Sequence, residues 1–131
     1  MNAQWITVDA TDKPFGRLAS TVAHTLQGKN RPDYTRHNPY PVHVVVINCD
    51  KLSVGERLMA SPRYHHTGYI GNLKEKTFAD APLTERFKSA VKHMLPKNKL
   101  GTRIITQLHC YADDQHPHSG QTTPTKSTDN E

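Results

Sequence analysis

Nine histidines in a chain of 131 residues are the first side chains here that could do chemistry, above all the pair His65 and His66 and the spacing His116-Pro117-His118. Imidazoles bind zinc or iron, so two such pairs raise the prospect of a metal centre. The frames that accompany such centres are missing, because the chain has no CxxC and no HExxH. Cys49 and Cys110 have no neighbouring motif that would activate a thiol, and there is no GxSxG elbow. Neither GxGxxG nor GxxxxGK[ST] follows the first apolar run, so a nucleotide cofactor has no recognisable cradle. The residues favour exposed loop histidines that stack or hydrogen-bond to phosphate and ribose. A metal-dependent enzyme using His65, His66, His116 and His118 is the competing reading.

The second kind of chemistry is binding of a polyanion. Residues 51–103 carry eleven Lys and Arg against four Asp and Glu, whereas residues 104–131 carry one against four. A local surplus of that kind suits phosphates, because each neutralised phosphate releases condensed counterions. Four clusters supply cations with interleaved rings and glycines. Lys29, Arg31, Tyr34, Thr35, Arg36 and His37 form the first; Arg57, Arg63, Tyr64, His65, His66, Thr67 and Gly68 form the second. Lys74 and Lys76 come next, and Lys92, Lys97, Lys99 and Arg103 flank a turn at Pro96. Any one cluster is compatible with a solvated surface. Their alternation with short apolar elements is what points to RNA.

Those clusters need elements to position them. Trp5 to Asp9 is a β-rich run that predicts a first strand. Leu18, Ala19, Val22, Ala23 and Leu26 recur at helical spacing, predicting a helix over 17–27 with Gly28 at its end. Val42 to Cys49, VHVVVINC, predicts a strand covered on both faces, the central strand of a parallel sheet. Strand, helix and buried strand make a βαβ unit, so the fold class is α/β. No period is sustained between Lys51 and Asn72, where Gly55, Pro62, Gly68 and Gly71 punctuate an extended, exposed loop. Leu83, Phe87, Ala90, Val91, Met94 and Leu95 share one stripe of a helix over 83–95 that Pro96 ends. Leu100, Ile104, Ile105 and Leu108 permit another short helix, and Leu108 to Tyr111 a last strand.

Length and composition set the outer bounds. The chain suits one domain, taken as residues 1–118, and the polar residues 119–131 read as a flexible tail. No stretch approaches the roughly 20 apolar residues that span a bilayer, and MNAQW lacks the features of a signal peptide. A soluble, cytoplasmic protein is expected, with Cys49 and Cys110 as reduced, buried thiols in apolar runs rather than a disulfide.

Five ordered blocks then carry a resemblance. Trp5 with Val8-Asp9-Ala10-Thr11 and Gly16-Arg17-Leu18-Ala19 is the first; Gly28-Lys29 and Tyr34-Thr35 with His37 is the second. Asn48, Asp50 and Lys51 follow, then His66-Thr67-Gly68 with Gly71 and Lys74. Ala90-Val91-Lys92 with Met94-Leu95-Pro96-Lys97 and Leu100-Gly101 is the most diagnostic, and Tyr111, His116 and His118 close the match. Over nearly its whole length the sequence resembles the bacterial large-subunit ribosomal protein L-thirteen family. That resemblance implies a three-layer α/β/α domain around a mainly parallel four-stranded sheet. It also implies a non-catalytic structural constituent of the large ribosomal subunit that binds and organises large-subunit ribosomal RNA beside neighbouring ribosomal proteins. No cofactor, metal, membrane or small-molecule substrate is implied. The chain departs from the family at Asn38-Pro39-Tyr40-Pro41, at the less basic Leu58 to Pro62, at His93 where glycine is usual, and at Gln107 and His109.

Overall fold

The computed structural model describes residues 3–38 and 41–122. Strand β1 (Gln4–Asp9) leads into helix α1 (Phe15–Leu26) and then strand β2 (Val42–Ile47). A short helix α2 (Glu56–Met59) precedes strands β3 (Pro62–His66) and β4 (Leu73–Thr77). Helices α3 (Leu83–Met94) and α4 (Lys99–Ile105) and strand β5 (Leu108–Cys110) complete the described order.

The apolar spacing of α1 turns Phe15, Leu18, Ala19, Val22, Ala23 and Leu26 onto one buried face. The helix stops where Gly28 takes a φ of 72°. There the Gly28 N–H donates to Thr25 O at 3.0 Å and the Lys29 N–H to His24 O at 3.2 Å, which satisfies two carbonyls that the last turn leaves open.

β2 is central: β1 and β5 both pair with it in parallel, in the order β1-β2-β5. Its alternate residues Val42, Val44 and Val46 join α1, Phe87 and Val91 of α3, Ile104 and Leu108 in the main core. Val45 points to the opposite face and is also fully buried. A run without polar alternation is therefore what a doubly covered strand requires. At its end Asn48 adopts a left-handed conformation, φ 57°, which Asn tolerates better than most residues. Its side-chain amide donates to the Asp9 carboxylate at 3.2 Å, closing β1 against β2. Two donors from Thr11, the backbone N–H and the hydroxyl, hold the Asp9 carboxyl below the usual aspartate value, and Asn48 assists.

The α/β class and the parallel β1-β2-β5 core agree with the sequence, but several details differ. Among the described residues the parallel sheet has three strands rather than four, and α1 and α3 pack together on one of its faces. Among the described residues, rings lie on the other face: Trp5 stacks on His43 at 4.2 Å between centroids, and His118 tilts over Trp5 at 5.0 Å.

The expected loop over 51–72 contains α2 and, with 73–77, an antiparallel hairpin β3-β4. Met94, expected in the core, is 44% exposed, whereas Phe87, Val91 and Leu95 of the same stripe are buried. Helix α1 begins earlier than expected, with buried Phe15 directly after Pro14. The tail expected from residue 119 lies outside the described residues from 123 onward; Ser119 to Thr122 form a turn in which the Gln121 and Thr122 N–H groups donate to His118 O. Of the unusual entry to β2, Pro39 and Tyr40 also lie outside the described residues.

Candidate nucleic-acid interface

The hairpin gathers most of the second cluster and all of the third. Its register sets Arg63 opposite Lys76, Tyr64 opposite Glu75, His65 opposite Lys74 and His66 opposite Leu73. Because side chains alternate between the faces of a ribbon, Arg63, His65, Lys74 and Lys76 share one face. Together with Tyr64 and Arg86 they line a cavity of about 400 Å³. All ten strand residues are exposed, so no core burial holds the ribbon in place.

Arg86 anchors its base. The guanidinium donates to Thr77 O at 2.7 Å and to Phe78 O at 3.0 Å, and it lies 5.3 Å from the centroid of buried Phe78. Arg86 is not among the residues that the sequence singles out. Its one signal was its position one turn into α3, directly after the basic segment.

At the far end of the ribbon the His66-Thr67-Gly68 block makes the turn. The Gly68 N–H donates to His66 Nδ1 at 2.9 Å, and Gly68 and Gly71 have φ of 93° and 79°, a backbone region that glycine enters without steric cost. Between them Tyr69 and Ile70 are strongly exposed. Thus His66, singled out as a contact residue, has one ring nitrogen committed to the turn.

A second surface joins the first and fourth clusters, which lie far apart in sequence. Lys29, Tyr34, Thr35 and Arg36 line a cavity of about 350 Å³ with Met94, Pro96 and Asn98. The exposed Met94 therefore serves as apolar wall there. On the other side of Pro96, Lys92 and Lys97 border a groove with Asn98, Gly101 and Thr102.

The turn between these hollows is built tightly. The Asn98 side chain accepts the Gly101 N–H at 3.0 Å and caps α4. A Cβ on Gly101 would meet Pro96 O at 1.8 Å. Lys99 is the first residue of α4 and Arg103 stands in its last turn, both exposed.

The remaining predicted residues fall elsewhere. Arg31 donates to the Gln4 side chain at 2.9 Å, tying the loop after α1 to the start of β1. His37 is exposed in that loop, and Arg57 is exposed on α2. The less basic stretch Leu58 to Pro62 is the end of α2 and the start of β3. His93 bonds through Nδ1 to Ser89 O at 2.7 Å, on its own helix.

His116 and His118 belong to neither basic surface. His118 packs on Trp5 and on His109, 4.6 Å between centroids, and Tyr111 lies 6.1 Å from His116. His43 of β2 and His109 of β5, the latter the register partner of Val45, approach to 3.5 Å through ring nitrogens. Burial pushes both imidazoles below the ordinary histidine value, and repulsion from His118 adds to it. Among the described residues no group of three or more His, Cys, Asp or Glu converges to hold a metal ion, and no helix is long and apolar enough to cross a membrane. The histidines of the metal-enzyme reading are divided between the hairpin and the ring cluster over Trp5.

Comparison with known proteins gives one consistent answer. A family described as "Ribosomal protein L13" matches residues 3–117. The protein named "Large ribosomal subunit protein uL13" from Acidithiobacillus ferrooxidans is 46% identical over 125 residues, covering 92% of this chain and 88% of that protein. Its namesake from Francisella tularensis subsp. holarctica is 44% identical over 122 residues, covering 90% and 86%. The one from Desulfovibrio desulfuricans is 42% identical over 126 residues, covering 92% and 87%. The two basic surfaces, the glycine turn of the hairpin and the capped turn after Pro96 are thus found in a chain that belongs to the ribosomal protein L13 family.

Proposed function

We propose that this protein is a non-catalytic, structural constituent of the large ribosomal subunit in the cytoplasm. It binds large-subunit ribosomal RNA through the hairpin and through the surfaces around Pro96, beside neighbouring ribosomal proteins. The observation that carries this reading is a pairing of like charges on a ribbon with no buried residue: Arg63 faces Lys76, with Lys74 on the same face. Like charges directly opposite destabilise a free hairpin. An RNA backbone against that face reverses the sign of the effect, because each phosphate then lies between two cations.

Roles follow from position. Arg63, His65, Lys74 and Lys76 contact phosphates along one ribbon face, and Thr67 and Gly68 let RNA approach the turn. Lys29, Thr35 and Arg36 bind phosphate around the hollow beside Pro96, and Tyr34 offers a ring for an unpaired base. Lys92, Lys97, Lys99 and Arg103 extend that surface along α3 and α4, with His37 in the loop after α1, while Arg57 adds a cation from α2, which packs near the base of the hairpin. His116 and His118, packed with Tyr111 and Trp5, lie apart from these two surfaces and offer a third, ring-lined patch to RNA. The domain that does this work is assigned to residues 1–118, with 119–131 as an appended polar segment.

The test is binding to large-subunit ribosomal RNA across a salt series. Affinity should fall steeply with salt, and Lys74→Ala and Lys97→Ala should each lower the log–log slope by about one. A salt-independent affinity, or native protein absent from sedimented large subunits, would refute the assignment.

A further inference from the structure

The two cysteines take no part in either basic surface, yet the fold brings them together. Cys49 follows β2, and Cys110 ends β5 as the register partner of Val46. The backbone N–H of Cys49 donates to Tyr111 O at 3.0 Å, so the two residues meet across the end of the parallel pair. Both side chains lie on the helical face of the sheet, with Cys49 wholly buried in the core and Cys110 packed against it. The Cys49 S–H is directed at Val46 O at 3.8 Å, and the two thiols are close enough to shift each other's proton affinity. β5 is an outer strand, and Cys110 lines a surface cleft of about 280 Å³ with Glu85 and Lys88. Cys110 is part-exposed at the cleft, and Cys49 is buried behind it.

The geometry points to a redox-active dithiol: a hydroperoxide oxidises Cys110 through the cleft, and Cys49 resolves the product to an intramolecular Cys49–Cys110 disulfide. The arrangement matches what such chemistry needs, an accessible thiol with a second thiol in contact to prevent over-oxidation. In the resting pair the interaction with Cys49, together with burial, holds Cys110 above the ordinary cysteine value. Loss of the Cys110 proton to solvent leaves its thiolate at the cleft beside Lys88. The thiolate attacks one peroxide oxygen, the O–O bond breaks, and Cys110 becomes a sulfenic acid as hydroxide departs. Hydroxide takes the proton from Cys49. The Cys49 thiolate then attacks the Cys110 sulfur, the S–O bond breaks, and the second hydroxide takes up the proton that Cys110 released to solvent. Two thiols and one peroxide thus give one disulfide and two waters. Because the reaction waits on deprotonation of Cys110, it is slower than oxidation of an exposed thiolate.

The test treats the folded, full-length protein with hydrogen peroxide at neutral pH, then denatures it in maleimide and analyses it by intact mass and peptide mapping. The expected result is loss of two hydrogens, no maleimide addition and a cross-linked peptide joining Cys49 to Cys110. In Cys49→Ala, dimedone should trap a sulfenic acid at Cys110. Two intact thiols after treatment, or Cys110 driven to a sulfinic acid while Cys49 stays free, would overturn the proposal. Should Cys49→Ala not fold, the cross-link in the unaltered chain decides alone.

Discussion

Substituting Gly101 by alanine tests the turn that separates core from basic surface. In most helices that change is favourable, worth about 1 kcal/mol through helix propensity. Here the added Cβ would stand 1.8 Å from Pro96 O and 3.0 Å from Pro96 C. Since carbon and oxygen ordinarily approach to about 3.3 Å, α4 and the turn must separate by roughly 1.5 Å. Both neighbours are backbone, so no side-chain rotation relieves the clash. Overpacking of this kind costs about 1–3 kcal/mol, and the shift also breaks the Asn98 cap on the Gly101 N–H, worth about 1 kcal/mol. The propensity gain offsets only part, leaving a net loss of about 1–3 kcal/mol. For a domain of this size that lowers the melting temperature by roughly 4–12 °C. Thermal unfolding followed by circular dichroism measures it, with Asn98→Ala as a milder reference that loses the cap alone. A Gly101→Ala protein melting at or above the unaltered one would show that space at Pro96 is not what the glycine provides.

Lys76→Glu should separate stability from binding: opposing Arg63 with a carboxylate gains about 0.2–1 kcal/mol in the free protein, while affinity for ribosomal RNA falls. Denaturant titration and filter binding read the two effects, and a variant that is both more stable and tighter-binding would contradict the phosphate face. Arg86→Met keeps the aliphatic stem but removes the donors to Thr77 O and Phe78 O, a loss of about 2 kcal/mol. Hydrogen exchange should then quicken in β3 and β4 before it quickens in β2, and unchanged hairpin exchange would deny Arg86 its anchoring role. Stability should also fall as the pH drops below the ordinary histidine range. The folded pKa values of His43 and His109 are lowered, so below about pH 6.5 the unfolded chain binds protons that the folded chain resists. Chemical denaturation between about pH 7 and about pH 5 measures this, and His43→Phe with His109→Phe should flatten the dependence.

How much was legible in the sequence depended on whether a segment buries a face. Val42 to Ile47 and the Phe87-Val91-Leu95 stripe were readable because the core imposes a period on them. The hairpin was not, because its ten strand residues are exposed and answer to no period; only Gly68 and Gly71 marked it, and they read equally well as loop. Met94 satisfied the helical stripe but sits at its end, where the packing of α3 gives way to the hollow beside Tyr34 and Pro96. The packing of His118 on Trp5 could not be read from the sequence because it joins residues more than a hundred positions apart. The basic clusters were visible as composition, whereas the union of the first with the Pro96 turn required the contact between α1 and α3.

The strand order β1-β2-β5 also dictates when the protein can fold during its own synthesis. β2 finds its first neighbour in a segment made earlier, but its second is Leu108–Cys110, among the last described residues to be translated. Until that strand emerges, Val44 and Val46 offer unpaired backbone at an apolar sheet edge, a template for pairing with other chains. The hairpin, closed by a local turn, has no such wait. A nascent chain stalled before residue 108 thus holds the ribbon, helices α1 to α4 and the β1-β2 pair with its edge open, and the last strand both completes the sheet and ends its exposure to aggregation.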